Sequence, residues 1–229
     1  MKNINEICVI VQARLGSQRI PGKMIRPFAG TTLTDISMEK VKNSKVIPQS
    51  NFYLSAYEKE LVDIANKHKV NIYHRSENSA NSEGTPLTDM YEWWDKLPYK
   101  YCVLVNACAP FLRTETIDEF VQKYIESSSD GLFGVMEKKN YFWNTDGKLI
   151  TKWPDGHACM NTKFVEVTYE AAHCLYAGRM DSIQRGIWMG DFQKPGDIEL
   201  YPMEEFECLD IDYEWQFNMC EAIYENREK

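Results

Sequence analysis

The segment from residue 9 to residue 23 constrains the fold more than any other part of this chain. It starts within an apolar run, residues 7–11, which is typical of a buried strand in a parallel sheet. The loop that follows contains two glycines and three cations: Gly16, Gly22, Arg14, Arg19 and Lys23. Glycines let backbone N–H groups approach an anion closely, and cations neutralise its charge. Because α/β sheets bind nucleotide phosphates in such loops, the sequence predicts a phosphate site that is neither a Walker A loop nor a GxGxxG motif.

Charge and composition exclude several classes of protein. The net charge of −8 argues against a nucleic-acid-binding surface, for which a basic face is expected. No stretch approaches the roughly 18 apolar residues of a membrane span, and the N-terminus does not resemble a signal peptide. The seven cysteines are odd in number and have no CxxC spacing. We therefore expect a reduced, cytoplasmic protein without a disulfide framework and without nucleic-acid or membrane partners.

Alternating strand and helix patterns run along most of the chain. Apolar periodicity predicts helices over residues 34–44, 58–69, 88–96 and 218–226, with a further helix starting at Thr114 as its N-cap. It predicts strands over residues 51–55, 70–73, 101–105 and 131–136. This order implies parallel strands joined by right-handed crossovers. The 229 residues are expected to form one domain, residues 1–229, with an inserted arm at about 140–160. In that arm an aromatic hairpin over residues 141–150 should turn at Asp146-Gly147.

Two aspartates near the C-terminus form the second strong signal. Asp210 and Asp212 are two residues apart on a segment with extended character, so their side chains should point to the same side. Paired carboxylates repel each other unless a cation is present, and they suit Mg²⁺ shared with phosphate oxygens. The alternative is a polar strand end, because Asp-x-Asp alone is common.

The N-terminal loop resembles the signature of the sugar cytidylyltransferases. That group includes the CMP-sialic, CMP-pseudaminic and CMP-legionaminic acid synthetases, the CMP-KDO synthetases and the SpsF-like proteins. The matching positions are Ala13, Arg14, Gly16, Ser17, Arg19, Pro21 and Lys23. Gln12 and Met24 depart from the sialic acid branch, where proline and asparagine are usual, and Gln12 resembles the SpsF-like branch. An ordinary basic surface loop is the alternative interpretation.

Weaker matches to the same family follow along the chain. Arg75, Ala80 and Asn81 correspond to its cytosine-contacting loop, although a polar loop with one arginine is usually only solvated. Asn106 takes the place of a glutamine in its second motif, where Ala107 and Cys108 also depart. Segments 164–169 and 171–176 resemble a strand that lines its sugar pocket. There His173 replaces a glycine and could touch the sugar, or could be a core histidine.

The resemblance implies a three-layer, Rossmann-like nucleotidyltransferase fold with a mostly parallel central sheet and a β-hairpin dimerisation arm. It implies transfer of CMP from CTP to a sugar acid, such as a nonulosonate, by a homodimer that uses Mg²⁺. The catalytic residues would be Arg14, Lys23, Asp210 and Asp212, and the two aspartates would hold the metal. The residues that would contact the nucleotide are Ala13, Arg14, Gly16, Ser17, Arg19, Lys23, Arg75, Ala80, Asn81 and Asn106.

Three alternatives stay open at this point. The enzyme could use another nucleotide or acceptor, as Gln12 and Met24 allow. It could be an SpsF-like transferase of polysaccharide biosynthesis with a different sugar acceptor. It could also be a sugar-nucleotide-binding protein without catalysis. The intact residues that speak against this are Arg14, Lys23, Asp210 and Asp212.

Overall fold

The computed structural model describes residues 1–81 and 84–227. Its strands are β1 Ile7–Gln12, β2 Phe52–Ala56, β3 Asn71–His74, β4 Tyr101–Val105, β5 Gly131–Lys138, β6 Thr168–Arg179 and β7 Ile198–Pro202. Its α-helices are α1 Leu33–Lys42, α2 Lys59–His68, α3 Glu77–Ala80, α4 Leu87–Met90, α5 Thr114–Glu126 and α6 Glu214–Arg227. No helix within the described ranges is both long and apolar enough to cross a membrane.

The strands form a seven-stranded sheet in the order β3-β2-β1-β4-β6-β5-β7. β1, β2, β3 and β4 are parallel neighbours, and β6 runs antiparallel to both β4 and β5. The chain therefore forms β2 and β3 on one side of β1, and it then returns to form β4 on the other side of β1. The crevice between the carboxyl ends of β1 and β4 is a topological switch point, where open α/β sheets bind ligands.

Alternate residues of β1 face two separate apolar cores. Ile7, Val9 and Val11 belong to a core that includes residues of α1, α2, α5 and α6. Cys8 and Ile10 face the opposite side, where the partners come mainly from short 3₁₀ segments and the loops beside them. Because strand side chains alternate with period two, a strand with apolar residues at every position must be covered on both faces. The predicted α/β architecture with a mostly parallel sheet is confirmed, with short segments forming much of one covering layer.

Three local expectations from the sequence are wrong in detail. The helix expected over 88–96 is divided into α4 and a 3₁₀ turn, Glu92–Trp94, because Tyr91 leaves helical geometry at φ −112° and ψ 41°. This break turns Trp93 fully into the core. Thr114 is the first residue of α5 and not its N-cap, and its hydroxyl donates to the carbonyl of Lys40 at 2.9 Å. The strand expected from residue 164 begins only at Thr168, after a 3₁₀ turn at Thr162–Phe164, and β6 then includes the expected residues 171–176.

The arm at residues 140–160 contains the expected turn. The carbonyl of Asn144 accepts from the N–H of Gly147 at 3.0 Å, and Gly147 has φ +81°, which favours glycine. Strand pairing in this hairpin is limited to one bridge, between Trp143 and Leu149. Large apolar side chains around the arm are exposed: Phe142, Trp143, Ile150, Trp153, Met160, Phe164, Val167 and Tyr169.

Candidate functional site

The loop after β1 is held in place by its own backbone and by one buried side chain. The N–H of Ser17 donates to the carbonyl of Leu15 at 2.8 Å, and the fully buried Ile20 anchors the far side of the loop. Gly22 has φ +65°, a conformation that residues with a Cβ rarely adopt. The carboxylate of Glu58, at the start of α2, accepts the N–H of Leu15 at 2.7 Å. The loop therefore has a fixed shape before any ligand arrives.

This loop forms much of the wall of a cavity of about 510 Å³ at the switch point, here called the basic cavity. Its cations are Arg14, Arg19 and Lys23. The lining residues are Gln12, Ala13, Arg14, Gly16, Ser17, Gln18, Arg19, Lys23, Met24, Asn81, Asn106, Ala107 and Cys108. The structure thus brings together eight of the residues that the sequence nominated for nucleotide binding: Ala13, Arg14, Gly16, Ser17, Arg19, Lys23, Asn81 and Asn106. Three cations in one cleft suit a polyphosphate.

A second cavity of about 420 Å³ adjoins the first and shares Gln12 and Asn106 with it. We call it the aromatic cavity because Tyr91, Tyr176 and Trp188 are among its walls. Its lining residues are Gln12, Tyr91, Leu104, Val105, Asn106, His173, Tyr176, Trp188, Asp210 and Asp212. The ring of Trp188 lies 4.8 Å from that of Tyr176 and is stacked with Tyr91 at 6.3 Å between centroids. Aromatic faces with a few polar groups suit a sugar ring, which has apolar C–H faces and hydroxyl edges.

Asp210 and Asp212 both line the aromatic cavity, as their spacing predicted. Ile211 between them is fully buried, and its N–H donates to the carbonyl of Cys108 at 3.0 Å. Asp212 is paired with Arg19 at 2.6 Å and with Lys23 at 3.5 Å, so it joins the two cavities electrostatically. Lys23 also donates to the carbonyl of Ile211 at 2.6 Å.

Asp210 lies in a different environment. Burial, followed by the charge of Asp212, raises the pKa of its carboxyl, while Lys23 and His173 act in the opposite direction. Its Oδ1 atom is buried and has no hydrogen-bonding partner among the described residues. An unpaired buried carboxylate oxygen costs free energy, so a cation bound there would satisfy it.

Two carboxylates fit Mg²⁺ only if water and substrate phosphates supply the remaining ligands. Among residues 1–81 and 84–227, no group of three or more His, Cys, Asp or Glu side chains is placed to hold a metal ion. Mg²⁺ commonly takes one or two carboxylates and completes its shell with water and substrate phosphates. The unpaired oxygen of Asp210 and the position of Asp212 beside the basic cavity fit this mode.

The loop after β3 encloses a third cavity, of about 580 Å³, which shares Arg14, Gly16 and Asn81 with the basic cavity. Ala80 lines this third cavity, and its carbonyl accepts from Arg14 at 3.3 Å. Arg75 does not line any of the three cavities described here. Its guanidinium donates to the hydroxyl and carbonyl of Ser79, and burial lowers its pKa to about 10. The sequence placed Arg75 against a base, whereas in the structure it braces the loop that carries Ala80 and Asn81.

Several residues that line the cavities were not predicted from the sequence as site residues. Gln12 was noted only as a departure, yet it lines both cavities and accepts from the indole of Trp93 at 2.9 Å. Tyr91 and Trp188 lie in irregular segments about a hundred residues apart, and only the tertiary fold brings them together. No local pattern could have linked these two aromatic residues.

Comparison with known proteins adds independent findings. A family model described as "Cytidylyltransferase" matches residues 8–182. The chain is 28% identical over 129 residues to the spore coat polysaccharide biosynthesis protein SpsF of Bacillus subtilis, a match that spans 56% of this chain and about half (53%) of SpsF. It is 24% identical over 188 residues to a pseudaminic acid cytidylyltransferase of Campylobacter jejuni, a match that covers 78% of each chain.

Solved structures share the fold at low sequence identity. A CMP:2-keto-3-deoxy-manno-octonic acid synthetase complexed with CTP superposes with a TM-score of 0.67 at 11% identity, covering 97% of this chain and 99% of that one. A 4-diphosphocytidyl-2C-methyl-D-erythritol synthase from Anaerococcus prevotii gives 0.66 at 14% identity, covering 95% and 97%. The fold is therefore the one shared by these nucleotidyltransferases.

Proposed function

Because this chain belongs to the cytidylyltransferase family, we propose that it transfers CMP from CTP to a hydroxyl of a sugar acid, with release of pyrophosphate. The observation that carries the proposal is the junction of two unlike cavities. The basic cavity suits a triphosphate, the aromatic cavity suits a sugar, and the two meet at Gln12, Asn106 and the carboxylate of Asp212. An acceptor hydroxyl at that junction is placed to attack the α-phosphorus.

The nucleotide is proposed to lie along the loop after β1. Arg14, Arg19 and Lys23 would neutralise the triphosphate, helped by backbone N–H groups near Gly16. The cytosine base would lie near Ala80 and Asn81, on the loop that Arg75 stabilises through its hydrogen bond to Ser79. Catalysis of phosphoryl displacements rests mainly on positioning and electrostatic stabilisation, so preformed cations are the expected machinery.

Asp210 and Asp212 are proposed to hold Mg²⁺. When bound, this ion would stabilise negative charge at the α-phosphate and on the departing pyrophosphate. The chain's own contribution there is orientation. Asp212 already contacts Arg19 and Lys23, so its carboxylate holds two phosphate-binding cations toward the junction.

The acceptor is proposed to be a sugar acid of the nonulosonate type, such as a sialic, pseudaminic or legionaminic acid. Support comes from the pseudaminic acid cytidylyltransferase, which aligns over 78% of this chain. The aromatic cavity, at about 420 Å³, falls within the size range of small-molecule sites, about 300–1,000 Å³.

We further propose that residues 1–229 act as one unit and as a homodimer in the cytoplasm. Eight large apolar side chains are exposed at or near the arm, and soluble monomers rarely expose a contiguous patch of that kind. All seven cysteines are free thiols, which suits a reducing compartment. Light scattering should report a dimer at micromolar concentration, and a fully active monomer would refute this part of the proposal.

Pyrophosphate release tests the central reaction. The protein should release pyrophosphate from CTP, in preference to ATP, GTP and UTP, when a panel of 2-keto-3-deoxy sugar acids is supplied with Mg²⁺. A purine nucleotide that binds equally well or better by titration calorimetry would remove the cytidylyl assignment. If the protein turns over CTP with a sugar that lacks a carboxylate, and with none of the sugar acids, the proposed acceptor would be wrong but the proposed reaction would stand.

A further inference from the structure

Strand β6 contains a large bulge at the edge of the aromatic cavity. Its pairing with β5 advances two residues on β5, from Phe133 to Val135, but five residues on β6, from Tyr176 to Ala171. The extra residues of β6 thus leave the ladder with β5, while Leu175 remains paired with Val105 of β4. Bulges occur often next to active sites, where they change the direction of a side chain.

His173 lies in this bulge in a conformation that histidine rarely adopts. Its φ is +56°, in the left-handed region that is strained for a residue with a Cβ. Asn106, which lines both cavities, fixes the bulge from the neighbouring segment. Its side-chain amide donates to the carbonyl of His173 at 2.8 Å, and its backbone N–H donates to the carbonyl of Cys174 at 2.9 Å. Strained residues that are held so firmly tend to occur at functional sites.

The imidazole of His173 is exposed and lines the aromatic cavity. Its Nδ1 atom is 2.8 Å from the hydroxyl of Tyr176, which therefore orients the ring. Burial raises the pKa of Tyr176, so its hydroxyl keeps its proton and can donate to Nδ1. With Nδ1 accepting, Nε2 carries the hydrogen and is a donor, and a protonated ring would also donate from Nε2. A core role for His173 is excluded by its exposure.

The charges around this donor point to the group it binds. Among the described residues that line the aromatic cavity there is no lysine or arginine, whereas two aspartates are present. Arg19 and Lys23 line the basic cavity and are paired with Asp212. His173 is the one lining side chain in the described part of this cavity that can offer a basic N–H to an acid.

We propose that the bulge in β6 presents His173 as the group that recognises the carboxylate of the acceptor, through a hydrogen bond from Nε2. This inference rests on the proposed function and names a residue that selects a sugar acid over a neutral sugar. In this conformation, at φ +56°, the side chain of His173 lines the aromatic cavity.

The test compares two variants on two acceptors. The acceptors are the sugar acid that the wild-type protein uses best and the same sugar with its carboxylate converted to the amide. We expect His173→Asn to raise KM for the acid about tenfold or more, as for the loss of a hydrogen bond to a charged group, and to leave KM for the amide nearly unchanged. The Kd of CTP should not change. His74→Asn, at an exposed histidine outside all three cavities and outside the arm, is the matched control.

A second variant separates recognition from folding. Glycine adopts positive φ without strain, so His173→Gly should have a Tm at least equal to that of the wild type and should still lose discrimination between acid and amide. The inference is overturned if either variant changes KM for acid and amide equally, or changes neither. Absence of pyrophosphate release by the wild-type protein with CTP and every sugar acid would instead overturn the proposed function, and this inference with it.

Discussion

The basic cavity and the aromatic cavity are neighbours that are built in different ways. The basic cavity takes its three cations from one loop of ten residues, Arg14 to Lys23. The aromatic cavity takes its walls from separate places in the chain, among them Tyr91, Tyr176 and Trp188. A site on one continuous loop leaves a motif in the sequence, whereas a site assembled by tertiary contacts leaves none. The proposed nucleotide site is therefore marked by a local motif, whereas the proposed acceptor site is assembled mainly by tertiary contacts.

The largest effect is expected at the junction of the two cavities. Asp212→Asn removes one charge where the cavities meet and releases Arg19 and Lys23 from their carboxylate partner. Turnover should fall about 10²-fold or more, comparable to the loss of another preorganised charge-stabilising group. Steady-state kinetics should show a larger change in kcat than in KM.

Binding should respond in the opposite direction at this position. Calorimetry without metal should give an unchanged or slightly smaller Kd for CTP, because a carboxylate that repels the triphosphate is gone. Raising Mg²⁺ should restore only part of the rate. Near wild-type kcat across a Mg²⁺ titration would mean that residues 210–212 are only a polar segment.

An intermediate effect, confined to the nucleotide half, is expected for Arg75→Gln. This change removes the buried guanidinium that stabilises the loop containing Ala80. The carbonyl of Ala80 accepts a hydrogen bond from Arg14. The Kd of CTP should rise roughly tenfold, as for the loss of a buried charged hydrogen bond, while the acceptor KM stays constant. Arg185→Gln, which is exposed and outside the three cavities, is the control. Equal changes in the Kd of CTP and in the acceptor KM would mean that the two cavities do not bind their substrates independently.

A smaller effect, confined to the acceptor half, is expected for Trp188→Leu. Loss of the ring that packs on Tyr176 and Tyr91 should raise the acceptor KM by about 2- to 10-fold, as for other aromatic contacts. The Kd of CTP should not change. Trp215→Leu, at an exposed tryptophan that lines neither cavity, should leave both constants unaltered.

The smallest effect is on stability and concerns Asp210. Its folded pKa is raised, because burial disfavours the ionised form, so the fold loses stability as the pH rises from the unfolded pKa to the folded pKa. Asp210→Asn removes that cost and should raise Tm without Mg²⁺ by roughly 2–4 °C for each 1 kcal/mol. The gain should be smallest below about pH 3, where both states hold the proton, should grow as the pH rises through the unfolded pKa, and should level off once the pH exceeds the raised folded pKa. A gain that is independent of pH would contradict this electrostatic explanation.

How far sequence reasoning succeeded depended on the range of the interactions involved. The strand over 101–105 follows from a local apolar run and is confirmed. Asp210 and Asp212 line the same cavity, in agreement with their spacing of two residues. The break at Tyr91 depends on tertiary contacts and not on the local sequence. It accompanies the burial of Trp93 against Gln12 and against the sheet face that the short 3₁₀ segments cover. The bulge at His173 depends on hydrogen bonds from Asn106, sixty-seven residues earlier, and helical or strand periodicity contains no sign of it.

Arg75 shows the same limit within the site. Its position in the chain associated it with the base, but its side chain turns inward to Ser79 and is buried. A polar loop in a sequence does not reveal which of its side chains point outward. The side-chain hydrogen bonds that hold Arg75 inward are made to Ser79, four residues later in the same loop.

The most direct test is a crystal structure of this protein with a non-hydrolysable CTP analogue and Mn²⁺, read by anomalous scattering. The account predicts the triphosphate in the basic cavity against Arg14 and Lys23, the base near Ala80, and a metal peak between Asp210 and Asp212. It also predicts that the aromatic cavity stays free for the acceptor. A nucleotide base seated on Tyr176 and Trp188, or a metal peak away from both aspartates, would contradict the division into a nucleotide half and an acceptor half.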